Sequence, residues 1–581
     1  MICRIAISIG FLVTLASAAL AASEVRLPLD SNPVSIDPQK LNESHEFQVA
    51  EDLFEGLTTV SAVGVVVPGT AEKWETSADG LTWTFHLRLD AKWSDGFPVT
   101  ALDFVRSFRR AVNPATASPS AAALEPILNA KEIASGAERD PALLGVGAVD
   151  DHTLKIRLND PTPWLPLLLT HFAAMPTPQR TIEEFGDQWT LPEHIVTNGA
   201  YRLGAWSPGS ELTLVRNPYF HDAASVQVET VRYIVSKPGG PGALARFEAG
   251  ELDVAAVTGK DIRIAEKRHL GNRVVQRELA TAFLSVHFAR GEMADERIRR
   301  ALAMTVDRDY LIKNVAQSHR LPAYSLVSPV MRGYTPQTAR WASEPTTTRA
   351  ATARRLLAEA RAGKPLPLKV QLTFIANGNR AQMTAIAQRW RSTLGVDTDL
   401  LGLSTKEFLE RIAAHNFELA AISWDPDFAD PWSYLADYRS DSGAANFGAY
   451  ADPLFDHLLD QSKQAGQDSV QRMRLLEAAE RRLIDNEAVI PLRFGVVDFI
   501  VNVHLKGWAS SPLARHPARY LRIEGAPRPS RRSSSAASCA VQLTDGMIAP
   551  VASLVSPGGL MIATRCFRCT LRARLNQPQR S

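Results

Sequence analysis

The sequence predicts an α/β fold in several layers, and three observations carry that prediction. Apolar residues recur at helical spacing along one face of several segments. Short extended apolar runs lie between those segments, a mixture that argues against a pure sandwich or bundle. The chain has 581 residues, too many for one core; at about 150 residues per domain there is room for roughly three or four.

In chain order, the first element is an export signal over residues 1–22. Arg4 gives the positive start, Ile5 to Leu15 an apolar run, and Ala16 to Ala22 the small residues of a cleavage site. The run is short for a membrane span, so a soluble periplasmic product is expected, with an uncleaved anchor as the other reading. Next comes a half-buried strand. Trp83, Phe85, Leu87 and Leu89 alternate with Thr82, Thr84, His86 and Arg88. Ser94-Asp-Gly-Phe-Pro98 breaks it, and Thr100 can cap the helix that follows.

Further strands are expected at Leu154–Leu158, Leu212–Val215, Val231–Val235, Leu368–Leu372, Val396–Leu400 and Phe417–Ile422. Four helices are placed by their stripes. Ile298, Ala301, Leu302 and Thr305 follow Asp295 as a cap; Ala353, Leu356, Leu357 and Ala360 end near Gly363. Met383, Ile386, Ala387 and Trp390 end near Gly395, and Met473, Leu476, Ala479 and Leu483 form the last stripe. No short internal repeat is present.

Composition bounds the function. Hydrophobic content of 45% and charged content of 22% are those of an ordinary globular protein. The net charge of +2 conceals a split: residues 525–581 carry eight arginines against Asp545, so the other 524 residues sum to −5. A nucleic-acid partner is therefore not expected. The four cysteines are Cys3, Cys539, Cys566 and Cys569, so the body must be stable by core burial without disulfides. The Pro/Ser/Arg-rich stretch after Glu524 cannot bury a core, and the tail 525–581 reads as disordered or foreign to the body. Cys566-Phe-Arg-Cys569 lacks the two further ligands a zinc site needs. No metal or cofactor is expected.

A series of landmarks runs from Ser35 to Ile523. They include Ser35-Ile-Asp-Pro38, Asp52-Leu-Phe-Glu-Gly-Leu57, the block around Trp83, Asp150-Asp-His-Thr-Leu154, Val196-Thr-Asn-Gly-Ala-Tyr201 and Arg216-Asn-Pro-Tyr219. Gly250-Glu-Leu-Asp253, Arg297 to Leu302, Asp307-Arg-Asp309 and Pro322-Ala-Tyr324 complete them. In this order and spacing the chain resembles the periplasmic oligopeptide-binding proteins of ABC importers, family 5 of the extracellular solute-binding proteins. The resemblance implies a two-lobed periplasmic binding protein fold of type II, with an extra α/β domain in the N-terminal lobe. Carried over, lobe I takes 24–54, 190–278 and 495–524, the extra domain 55–189, and lobe II 279–494. Closure of the lobes around a ligand is the implied motion.

The candidate site begins at Phe417-Glu-Leu-Ala-Ala-Ile-Ser-Trp-Asp-Pro-Asp-Phe-Ala-Asp-Pro431, where an apolar strand meets Asp425, Asp427 and Asp430. Carboxylates at a strand end beside an aromatic suit a cation in a cleft. Solvated loop charges are the plainer reading, and a calcium loop lacks its glycine and distal glutamate. The resemblance implies that Asp427 holds the α-ammonium of a bound peptide, a desolvated contact worth about 2–5 kcal/mol. Ser423, Trp424 and Asn446 are candidates for further ligand contacts, Trp424 equally for core. The peptide would lie extended, its backbone paired with both lobes and its side chains in wet pockets.

At the carboxylate end the chain departs from the family. Positions where relatives carry Arg, Lys or His correspond to Ala421, Ala316 or Asn314, and Asn379; Ile412 and Thr405 replace a cationic and an aromatic position. The cysteine pair that bridges some relatives corresponds to Ala280 and Asp425. Arg320, Arg380 and Arg411 are the candidate substitutes, or else exposed arginines. A modified or cell-wall-derived peptide, or another cationic solute, therefore stays open as ligand. No hydrolase elbow, P-loop or His-Glu-x-x-His motif occurs. The expectation is a monomeric, non-catalytic carrier of oligopeptides serving ABC permease subunits in the inner membrane; a secreted peptide- or glycan-hydrolysing enzyme is the rival.

Overall fold

The computed structural model describes residues 23–237, 239–362, 367–466 and 468–525. The export signal and the tail with its Cys-x-x-Cys lie outside these residues. The alternating strand forms as Thr82–Leu87, with Trp83, Phe85 and Leu87 buried. Leu89 was expected inward but is 80% exposed. Pairing stops at Leu87, because the next residue, Arg88, turns its N–H to Thr70 O (2.9 Å) and its Nε to Gly69 O (2.8 Å). Thr100 caps Ala101–Val112 in a reciprocal box with Asp103. Asp295 caps Glu296–Thr305 by accepting from Arg297 N at 2.9 Å. The other three striped helices form as Thr346–Ala360, Ala376–Leu394 and Ser469–Asp485.

Two main apolar cores organise the chain. The first joins Val25–Val235 to Val254, Val501, Leu505, Trp508, Ala518 and Leu521. It packs against a four-stranded sheet in which Glu24–Leu29 runs parallel to Thr230–Val235, followed by Glu211–Arg216 and Tyr201–Ser207. A second four-stranded sheet, the antiparallel meander of Ala71–Thr76, Thr82–Leu87, Thr153–Arg157 and Val146–Asp150, shares this core. The second core runs from Leu279 to Leu492. A small satellite gathers Leu244, Phe247, Ala255, Val257, Ile262, Ala265 and Ile500.

Two long antiparallel strands, Asn272–Val286 and Val489–Val501, connect the cores. At one end Val489–Val501 pairs with Val254–Val257, and at the other Asn272–Val286 pairs with Leu419–Trp424. Their ladder is interrupted between Arg277 and Thr281. The chain thus passes between the two bodies twice through one ribbon, and the irregular ladder marks the crossing. The sheet of the second body continues from Leu419–Trp424 through Lys369–Ile375 to Asp397–Leu403, all parallel.

Candidate functional site

Parallel strands flanked by helices place ligands beyond their carboxyl ends. Here Ile375 and Trp424 end neighbouring parallel strands on one edge of the sheet. Along Leu419–Trp424 the burial alternates: Ile422 and Trp424 enter the second core, while Ala421 and Ser423 stay partly exposed on the other face. The strand then runs into Asp425-Pro-Asp-Phe-Ala-Asp430. Asp427 is half-buried, and its N–H donates to Ser433 Oγ at 3.1 Å. One residue on, Phe428 is buried within the first core. The loop carrying Asp427 therefore bridges the two bodies, with Trp424 in one core and Phe428 in the other.

Asp430 anchors that loop. It is buried and accepts from both Arg472 Nη atoms at 2.7 Å, and its Oδ1 accepts from Trp432 N at 2.9 Å. Such a bidentate pair fixes orientation as well as charge. Arg472 also lies 4.8 Å from the ring of Trp164, which stacks on Trp432 at 4.6 Å and 21°. Trp164 belongs to the first core. Lys463 sits over Trp432 at 5.3 Å and reaches Asp160 at 3.1 Å. These contacts form an aromatic and ionic seam between the bodies beside the Asp427 loop.

Across the sheet, Ala282 is in register with Ser423 on one side and Arg493 on the other. In-register residues share a face, so Ser423, Ala282 and Arg493 form a row. They line a cavity of about 40 Å³ closed by Ala421 and by Asn379 and Gln382 of Ala376–Leu394. Pro322 pairs with Arg493 and brings Arg320 alongside. Among the described residues, Arg493 Nε has no hydrogen-bond partner and its guanidinium makes no direct ion pair. Burial pushes the Arg493 pKa down to about 9, helped by the like charge of Arg320 and opposed by Asp425. Burial also lowers that of Arg320, against the attraction of Glu278. Extending the Thr281–Trp424 register by one residue sets Ala280 beside Asp425.

The candidates from sequence separate in space. Ser423 lines the cavity, Arg320 lies near enough to Arg493 for its charge to act there, Asp427 is on the adjoining loop, and Trp424 stands behind in the core. Arg380 is exposed, 5.6 Å from the Phe374 ring. Arg411 Nη2 donates to Gln371 Oε1 at 2.9 Å, four residues short of the carboxyl end of Lys369–Ile375. Asn446 is buried and braces its own loop, donating to Arg439 O (3.2 Å) and Tyr450 O (2.6 Å) and accepting from Tyr450 N (3.0 Å). Sequence reasoning missed Arg493. Its signal was present: one arginine inside the apolar run Val489-Ile-Pro-Leu-Arg-Phe494. Among the described residues no cluster of three His, Cys, Asp or Glu side chains is arranged for a metal, and no helix is long and apolar enough to cross a membrane.

The family described as bacterial extracellular solute-binding proteins, family 5 middle, matches residues 65–446. The chain is 36% identical to the periplasmic oligopeptide-binding protein OppA of Salmonella typhimurium over 83% of this chain and 88% of that one. It is 35% identical to the probable deoxycholate-binding periplasmic protein YgiS of Escherichia coli over 82% and 89%. The unliganded open form of the periplasmic murein tripeptide-binding protein MppA superposes with a TM-score of 0.76 at 32% identity, covering 87% of this chain and 98% of that one.

Proposed function

The chain belongs to the bacterial extracellular solute-binding proteins of family 5, and from that membership we propose that it is a monomeric periplasmic receptor that delivers peptides to the permease of an ABC importer. The ligand lies between the two bodies, and Asp427 receives its α-ammonium group. The observation that carries this reading is the loop Trp424–Phe428, whose two ends are buried in different cores while Asp427 stands half-buried between them. A carboxylate so placed is desolvated when the bodies close on a ligand, which strengthens its pairing with an ammonium. Ser423 contributes a hydroxyl from the exposed face of the adjoining strand.

The ligand class is a short peptide, with a modified or cell-wall peptide as the second reading. The second reading is favoured by Ala421 and Asn379, which stand where peptide-binding relatives carry cations, and by the murein tripeptide in the name of a structural relative. The function is carriage rather than hydrolysis: relatives carry the names of binding proteins. Mass spectrometry of what copurifies, and of a peptide pool incubated with the protein, tests this. Intact bound peptides are expected, and cleaved products would overturn it. Asp427→Ala is expected to weaken peptides with a free amino terminus at least tenfold by calorimetry, while binding of N-acetylated peptides changes little. Equal losses for both would remove Asp427 from the anchor role.

A further inference from the structure

Arg493 is a cation that makes no ion pair among the described residues, at the edge of the proposed ligand space. Its Nε is sealed from solvent and unbonded among the described residues. The charges that act on it are those of another arginine, Arg320, and of Asp425. A guanidinium held this way is costly to the empty protein, because a buried charge is repaid only by a counter-ion and full hydrogen bonding. Such groups concentrate at functional sites.

The polar groups of the cavity favour an anion against a wall that is otherwise apolar, with Phe283, Met383 and Phe408 among its members. The cavity of about 40 Å³ lies between Arg493, Ser423 and Asn379. That space is ample for a water and for a small planar group such as a carboxylate. Asn379 lies in the first turn of the 19-residue helix Ala376–Leu394, whose positive end carries no acidic residue. Gln382 follows on the same helix and Ser423 faces it across the cavity. Guanidinium, two amides, a hydroxyl and a helix start converge on one small space.

We propose that this cavity is the receptor for a ligand carboxylate, with Arg493 as its bidentate partner and Arg320 reinforcing the charge. The assignment rests on the peptide-carrier reading and sharpens it: the ligand must present an anionic group to the Val489–Val501 strand as well as an ammonium to Asp427. Arg493 thus supplies a cation where Ala421 and Asn379 cannot. The carboxylate is either the ligand's C-terminus or an acidic side chain at a fixed position.

Calorimetry with di- to pentaalanine tests this, each as free acid, as C-terminal amide, and as an amide carrying one glutamate. In the wild type, at least one length is expected to bind tenfold or more tightly as the acid than as the amide. Arg493→Met is expected to bring the acid down to the amide's affinity, with a melting temperature equal to or above the wild type's. Arg493→Lys keeps part of the preference. Recovery of affinity by a glutamate in the amide identifies a side-chain carboxylate as the group received; no recovery identifies the C-terminus. Equal binding of acid and amide by the wild type, or a preference that survives in Arg493→Met, overturns the assignment while leaving the carrier reading intact. Binding of none of these peptides overturns the carrier reading and the assignment with it.

Discussion

Asp427 and Arg493 were unequally visible in the sequence, for a physical reason. Asp427 sits within three residues of two other acids and an aromatic, so local context exposes it. Arg493 acquires its partners only through strand pairing, since Ser423 is 70 residues away and reaches it across Ala282. Asp52 shows the same dependence. It is 1% exposed and accepts from Tyr233 Oη (2.6 Å) and Ala518 N (2.8 Å). Burial pushes its pKa up to about 7, against the pull of those two hydrogen bonds. An unfolded aspartate titrates near ~3.9, so the native state holds an extra proton between there and pH 7. The stability that Asp52 contributes is present below that window and is lost as pH rises through it. Urea melts at pH 5 and pH 8 should therefore show the wild type losing stability relative to Asp52→Asn, by at most on the order of 3 kcal/mol. A parallel response of the two proteins would remove Asp52 as the cause.

Among the elements, strands and helices with a regular stripe were legible, and the connecting ribbon was not. The six extended runs all form strands or parts of strands. Val489–Val501 carries Pro491 and Gly495, both of which read as strand breakers. Tertiary structure accommodates each. Pro491 falls where the register shifts between Ala282 and Phe283, so its missing N–H coincides with an irregular pairing. Gly495 lies opposite the interrupted stretch, where a Cβ would stand 2.7 Å from Ala280 Cβ and 3.1 Å from Glu278 Cβ. Gly495→Ala must force the two strands apart at the crossing between bodies. Denaturant titration is expected to register a loss of about 1–3 kcal/mol; an unchanged midpoint would mean that the ribbon yields freely there.

In the whole molecule, two bodies meet along the seam that begins at the Asp427 loop. Stacked Trp164 and Trp432 come from opposite sides of it, and the Lys463–Asp160 pair beside them is solvent-exposed on the acid side. An exposed ion pair is worth little, whereas an aromatic stack contributes about 0.5–1.5 kcal/mol beyond its buried area. A double-mutant cycle of Trp164→Leu and Trp432→Leu is expected to return a coupling energy in that range, and additive losses would show that the stack does not tie the bodies together. The α/β class, the placement of the striped helices and the acidic turn after Trp424 all follow from periodicity and neighbouring residues, which are properties of the chain read in order. The ribbon, the seam and the row Ser423–Ala282–Arg493 beside Asn379 arise from residues tens to hundreds of positions apart. Only folding could reveal them, because their partners are chosen by strand register and by which core each loop end enters.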